Sequence, residues 1–150
     1  MNPNKELVCQ ENGKIFRLYT NGIEFSKIKL DNGQNNERKK CDYLIIKSTN
    51  DIQIFIELKG NKIATAYRQI LASYDDVNCA KNLQVKYYAA IVSSKYPQQD
   101  TTIQTLQRKA KKIFAEIFIK NKEIQTQYNS TNNTHRKNKL IISSAQQAMI

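Results

Sequence analysis

Between residues 41 and 59 the chain alternates in a way that sets two strands. In "IQIFIELK" (52–59), Ile54, Ile56 and Leu58 fall on one side, while Phe55, Glu57 and Lys59 fall on the other. "CDYLIIK" (41–47) precedes it, and the polar "STND" (48–51) between them reads as a turn. Upstream, "KIFRLYT" and "IEFSKIKL" flank Asn21-Gly22, which predicts another hairpin. Residues 3–13 are assigned one short helical turn. "DNGQNNERKK" (31–40) reads as a polar loop that ends in positive charge.

From Lys62 the period changes. Ile63, Ala66, Tyr67, Ile70, Leu71 and Tyr74 form one helical face, with Gln69 on the opposite, polar side together with Lys62 and Ser73. "LQVKYYAAIVSS" (83–94) is a strand, buried toward its end. Asp100 or Thr101 caps a second helix, whose apolar stripe runs Ile103, Leu106, Ala110, Ile113, Phe114 and Ile117. Arg108, Lys109, Lys111 and Lys112 lie on its outer face. Residues 129–138 are polar and read as a mobile segment, and "LIIS" (140–143) as a last strand. The path from "IFIELK" through the first helix to "AAIV" is long enough for a crossover between parallel strands. The expected fold is a single α/β domain over 1–150: a mixed, mostly antiparallel central sheet flanked by helices.

Composition narrows the function classes. Lysine and arginine number 24 against 13 acidic residues, a net charge of +11. That surplus is what a polyanionic partner (DNA, RNA or an anionic lipid surface) requires, and equally what a solubilising surface would carry. No stretch is long and apolar enough for a membrane span, and the first residues carry no secretory signal, so the expectation is a soluble cytoplasmic protein without membrane association. Cys9, Cys41 and Cys79 are widely spaced, and His135 is the single histidine. This excludes a zinc-ligand pattern and a disulfide framework as the organising chemistry.

The chemistry-bearing residues gather on the central hairpin. With the turn at Thr49-Asn50, antiparallel pairing sets Asp42 across from Glu57 to Lys59. Two carboxylates this close repel, and a divalent cation between them relieves that. Oxygen-only donors suit Mg²⁺ or Mn²⁺, which keep waters and share substrate phosphates. Lys59 sits about 7 Å beyond Glu57 along the strand, within side-chain reach of an attacking water or a phosphate. Together these parts suit metal-dependent phosphodiester hydrolysis. Each charge alone is equally a solvated strand residue; the combination is what carries meaning.

"CDYLI" (41–45) and "FIELKG" (55–60), followed by the helix "ATAYRQILASY" and the strand "YYAAIV", resemble the PD-(D/E)XK nuclease superfamily of restriction endonucleases and Holliday-junction resolvases. The likeness spans roughly residues 15–120. It implies a restriction-endonuclease-like core and a Mg²⁺- or Mn²⁺-dependent endonuclease acting on nucleic acid, DNA first, in restriction, repair or defence. It implies Asp42 and Glu57 as metal ligands with the Leu58 backbone carbonyl, and Lys59 as the residue that orients water. Lys40, Arg38, Lys62 and Gln69 would contact substrate. Cys41 stands where the family has its proline, and Glu6, Glu11 and Glu24 are the upstream acids available as a further ligand. A homodimer would let such an enzyme cut two strands. The rival expectation is a non-catalytic nucleic-acid-binding or protein-interaction subunit that keeps the fold.

Overall fold

The computed structural model describes residues 6–30, 40–60, 62–77, 84–94, 100–129 and 139–142, without the side chains of 59, 60 and 139–142. Along the chain its elements are β1 (Glu6–Glu11), β2 (Lys14–Tyr19), β3 (Phe25–Lys29), β4 (Tyr43–Lys47), β5 (Ile52–Gly60), α1 (Ile63–Val77), β6 (Lys86–Ser93), α2 (Thr101–Lys111), β7 (Glu116–Asn121), β8 (Glu123–Asn129) and β9 (Lys139–Ile142). They build two mixed sheets, ordered β1-β2-β8-β9 and β3-β4-β5-β6-β7. In the larger sheet β3, β4 and β5 run antiparallel, while β5, β6 and β7 run parallel. The α/β class and the mixed sheet are as expected, and the β5–α1–β6 connection is the parallel crossover that the chain length allowed.

The larger sheet is covered differently on its two faces. Phe55, Tyr87, Ala89 and Ile91 pack under α1 and α2, against Tyr67, Ile70, Tyr74 and Phe114. Phe55 meets Tyr74 and Phe114 edge-on at 6.2 and 6.1 Å between ring centroids, which fixes the helices over the centre of β5. Ile45, Ile54, Ile56, Leu58, Tyr88 and Val92 point the other way. They pack against Cys9, Phe16, Leu18, Ile124 and Tyr128 of the smaller sheet. Both helices therefore lie on one side, and a second sheet takes the place of helices on the other.

Four local expectations change. Residues 6–11 are a strand, not a helical turn, because Asn12 (φ 50°) and Gly13 (φ 77°) close a two-residue hairpin that pairs Glu11 with Lys14. Asn21 (φ 54°) and Gly22 (φ 82°) do turn the chain, with Ile23 N–H donating to the Thr20 carbonyl at 3.1 Å. Yet β2 and β3 do not pair: β2 lies between β1 and β8, and β3 joins β4. The turn is a corner at which the chain changes sheets, and Asn21 Nδ2 pins it by donating to the Tyr128 carbonyl at 2.6 Å. The third change is the second helix, which ends at Lys111 rather than running on through Ile117. Its N-cap is Asp100, which accepts from Ile103 N–H at 2.8 Å. The fourth is that the residues after it form β7 and β8. The last strand is present as β9, and residues 130–138 of the polar stretch lie outside the described residues.

No helix among the described residues is long and apolar enough to cross a membrane. The sheet-on-sheet layer yields a direct expectation. Phe16 is fully buried between the sheets, so Phe16→Ala removes about 3–5 kcal/mol of stability in a urea titration. A loss below about 1 kcal/mol, typical of surface change, would contradict the two-sheet packing.

Candidate functional site

The β4–β5 register decides where the acids go. Tyr43 pairs with Ile56, and Leu44 with Phe55. One pair further along, Asp42 stands across from Glu57. Two hydrogen bonds hold it there: Asp42 N–H donates to the Ile56 carbonyl at 3.0 Å, and Asp42 Oδ2 accepts from Leu58 N–H at 2.7 Å. Asp42 thus brackets Glu57 from both sides. Its carboxylate also takes up a backbone donor where the β5–β6 pairing slips by a residue, between Glu57 and Gly60. Such an irregularity bends a strand and re-aims its side chains.

Both acids are 1 % exposed. Water therefore does little to screen them from each other, and like charges in a low-dielectric setting interact strongly. The thiol of Cys41 senses both. It is pushed up to about 12, first by burial, with the charges of Glu57 and Asp42 adding to the rise and a hydrogen bond with Ser73 opposing it. At neutral pH Cys41 is a buried neutral thiol, not a nucleophile.

Cys41 anchors the site to the helix layer. Its N–H donates to Ser73 Oγ at 2.8 Å, and Ser73 Oγ donates to the Gln69 carbonyl at 2.9 Å. Ser73 is fully buried, so the expectation that placed it on the solvent side of α1 is corrected. That stripe of the helix faces the segment before β4, where the Cys41 N–H takes the Ser73 hydroxyl as its acceptor. Gln69, one turn earlier, is half-buried on the same stripe. Lys40, two residues ahead of Asp42, is half-buried, and Lys62, exposed, opens α1 at the end of β5.

The structure thus brings Asp42, Glu57 and the Leu58 backbone together and puts Lys40, Lys62 and Gln69 on the flanking elements. Lys59 lies on β5 two residues past Glu57, but its side chain is outside what is described, as is Arg38. Cys79 falls there too. Among the described residues no group of three or more His, Cys, Asp and Glu side chains is placed to hold a metal ion. Glu6 instead pairs with Arg17 at 3.1 Å. Two carboxylates and a backbone carbonyl are a hard-oxygen donor set. That set fits Mg²⁺ or Mn²⁺, which fill the rest of their shell with water and substrate oxygens. Ser73 is the residue the sequence did not flag; the only trace of it there is a small hydroxyl next to the apolar stripe.

No family model matches the chain, and no curated protein or solved structure matches it. Replacing Ser73 with Ala leaves the Cys41 N–H buried without its acceptor, and the expected cost is about 1–3 kcal/mol in chemical denaturation. A change within about 0.5 kcal/mol would mean that this bond does not hold β4 to α1.

Proposed function

We propose that the chain is a metal-dependent nuclease of the PD-(D/E)XK kind, hydrolysing phosphodiester bonds of nucleic acid, with DNA the expected substrate. Restriction, repair or defence against foreign DNA is the setting consistent with that chemistry. The observation that carries the proposal is the pair Asp42 and Glu57, opposed across β4 and β5 and closed from solvent. Its placement also supports it: the pair lies near the carboxyl ends of parallel strands, where open α/β sheets bind their ligands.

In this mechanism Asp42 and Glu57, with the Leu58 carbonyl, are the residues that would hold Mg²⁺ or Mn²⁺. The Leu58 N–H fixes the Asp42 carboxylate in orientation, so the donor oxygens are arranged before any ion arrives. When bound, the ion supplies positive charge to the phosphoryl oxygens as negative charge builds on them. Lys59, two residues past Glu57 in the sequence, is the residue assigned to orienting the attacking water, and its charge would offset that of the transition state. Lys40 and Arg38 before Asp42, Lys62 just ahead of α1 and Gln69 on it are the residues assigned to the nucleic-acid backbone around the scissile phosphate. Such contacts position a strand without reading its sequence.

The test is incubation of plasmid, linear and single-stranded DNA with Mn²⁺ or with EDTA. Cleavage is expected with Mn²⁺ only, and Lys59→Ala is expected to slow it about 100-fold or more. Mn²⁺ at about 100 times its Kd should also stabilise the wild type by about 2.7 kcal/mol, visible as a raised melting midpoint, and should not do so for Glu57→Gln. DNA binding without cleavage would favour the non-catalytic alternative. Cleavage indifferent to Lys59→Ala would contradict the assignment.

A further inference from the structure

Four described residues other than glycine have positive φ: Asn12, Asn21, Asn50 and Lys122. Asparagine tolerates this left-handed region because its side chain hydrogen-bonds locally; lysine has no such excuse. Lys122, at φ 70°, is the single residue linking β7 to β8. Its backbone is held from both sides. Its N–H donates to the Ser93 carbonyl at 3.1 Å, and its carbonyl accepts from Ile15 N–H at 2.9 Å. The link therefore needs a left-handed residue, which glycine or asparagine would supply at lower cost. A side chain kept at a strained position invites a functional reason.

Its location supplies one. Gly60, Ser93 and Asn121 lie in register across the carboxyl ends of β5, β6 and β7. Lys122 follows Asn121, so it stands at the sheet end toward which Glu57 lies: two strand spacings, about 10 Å, across from Glu57 and three residues, about 10 Å, further along, with Asp42 one strand spacing more distant. Lys122 is exposed, and its ammonium pairs with no acidic side chain among the described residues. The three cations of α2, Arg108, Lys109 and Lys111, and its C-cap Lys112 are elsewhere: Ala115, just beyond that helix, bonds to Tyr87 near the amino end of β6.

We infer that Lys122 is a phosphate-binding residue for a flanking nucleotide of the DNA substrate, an assignment that rests on the nuclease reading above. A backbone crossing the strand ends at Glu57 reaches it within about two or three nucleotides. Strain at the link is tolerated because it fixes the lysine's Cα rigidly, so that the ammonium is presented from a defined point on the rim.

Lys122→Gly separates charge from backbone, because it removes the amine and relieves the left-handed strain together. The measurement is fluorescence anisotropy of labelled duplex and single-stranded DNA, with Ca²⁺ in place of Mn²⁺, across a salt series. Lys122→Gly is expected to melt at or above the wild-type temperature, yet to bind roughly three- to tenfold more weakly at about 0.1 M salt. Its log Kd against log salt slope should flatten by about one. Lys122→Arg should bind within about twofold of wild type, and Lys109→Ala, on α2 at the far end of the sheet, should keep the wild-type slope. Unchanged binding by Lys122→Gly while the wild type binds and cleaves DNA would overturn this inference alone. So would an equal loss in Lys109→Ala, which would make the effect one of net charge. A wild type that binds neither DNA would overturn the inference and the nuclease reading together.

Discussion

The antiparallel register between β4 and β5 is the constraint on which the rest of the site depends. Side chains on a strand alternate, so a slip of one residue would turn Asp42 away from Glu57 and mismatch the rows that face the smaller sheet and the helices. Burial on both faces prevents that slip. Ile45, Ile54 and Ile56 are held by the smaller sheet, and Leu44 and Phe55 by the helices. At the far end the turn closes through Asn50 in the left-handed region, with its N–H on the Lys47 carbonyl at 2.7 Å. Lys47 itself is nearly buried, lies 5.0 Å from the centroid of the Tyr128 ring and pairs with Asp51 at 3.3 Å. Turn and core therefore agree on one pairing.

Two layers then convert a register into a site. The helix layer reaches it through Ser73, which ties the backbone ahead of Asp42 to α1. The sheet layer reaches it through β3 and β1: Lys27 donates to the Val8 carbonyl at 2.8 Å and lies 5.7 Å from the centroid of the Tyr43 ring. The result is a pair of acids with 1 % exposure each. Burying a carboxylate is costly unless hydrogen bonds or opposite charge meet it, and the Leu58 N–H supplies one such bond to Asp42.

Much of this was legible in the chain. The β4–β5 hairpin and α1 stand out because each holds one period over its whole length, and the acids followed from pairing arithmetic. Asp100 declared its helix start. Other parts were hidden for physical reasons. The Asn21-Gly22 turn is the same dipeptide whether its flanking strands pair or part, and only the choice between β4 and β2 as partner for β3 separates the cases. In β8 the buried row is Ile124, Thr126 and Tyr128, and the fully buried Thr126 hydroxyl donates to the Arg17 carbonyl at 3.2 Å. A polar residue inside broke the hydrophobic alternation that would have announced a strand. Ile113, Phe114 and Ile117 continued the helical spacing past the point where the helix stops. Ser73 was hidden because a hydroxyl's value depends on a backbone donor 32 positions away.

One strand pair sets Asp42 opposite Glu57, and the proposed function requires the two to share a divalent ion. Crystals soaked in Mn²⁺ and measured at a wavelength where manganese scatters anomalously test it most directly. A difference peak within coordination distance, about 2.0–2.2 Å, of both carboxylates is the predicted result. Density that resolves both side chains with no peak between them, or a peak held by other residues, would contradict it.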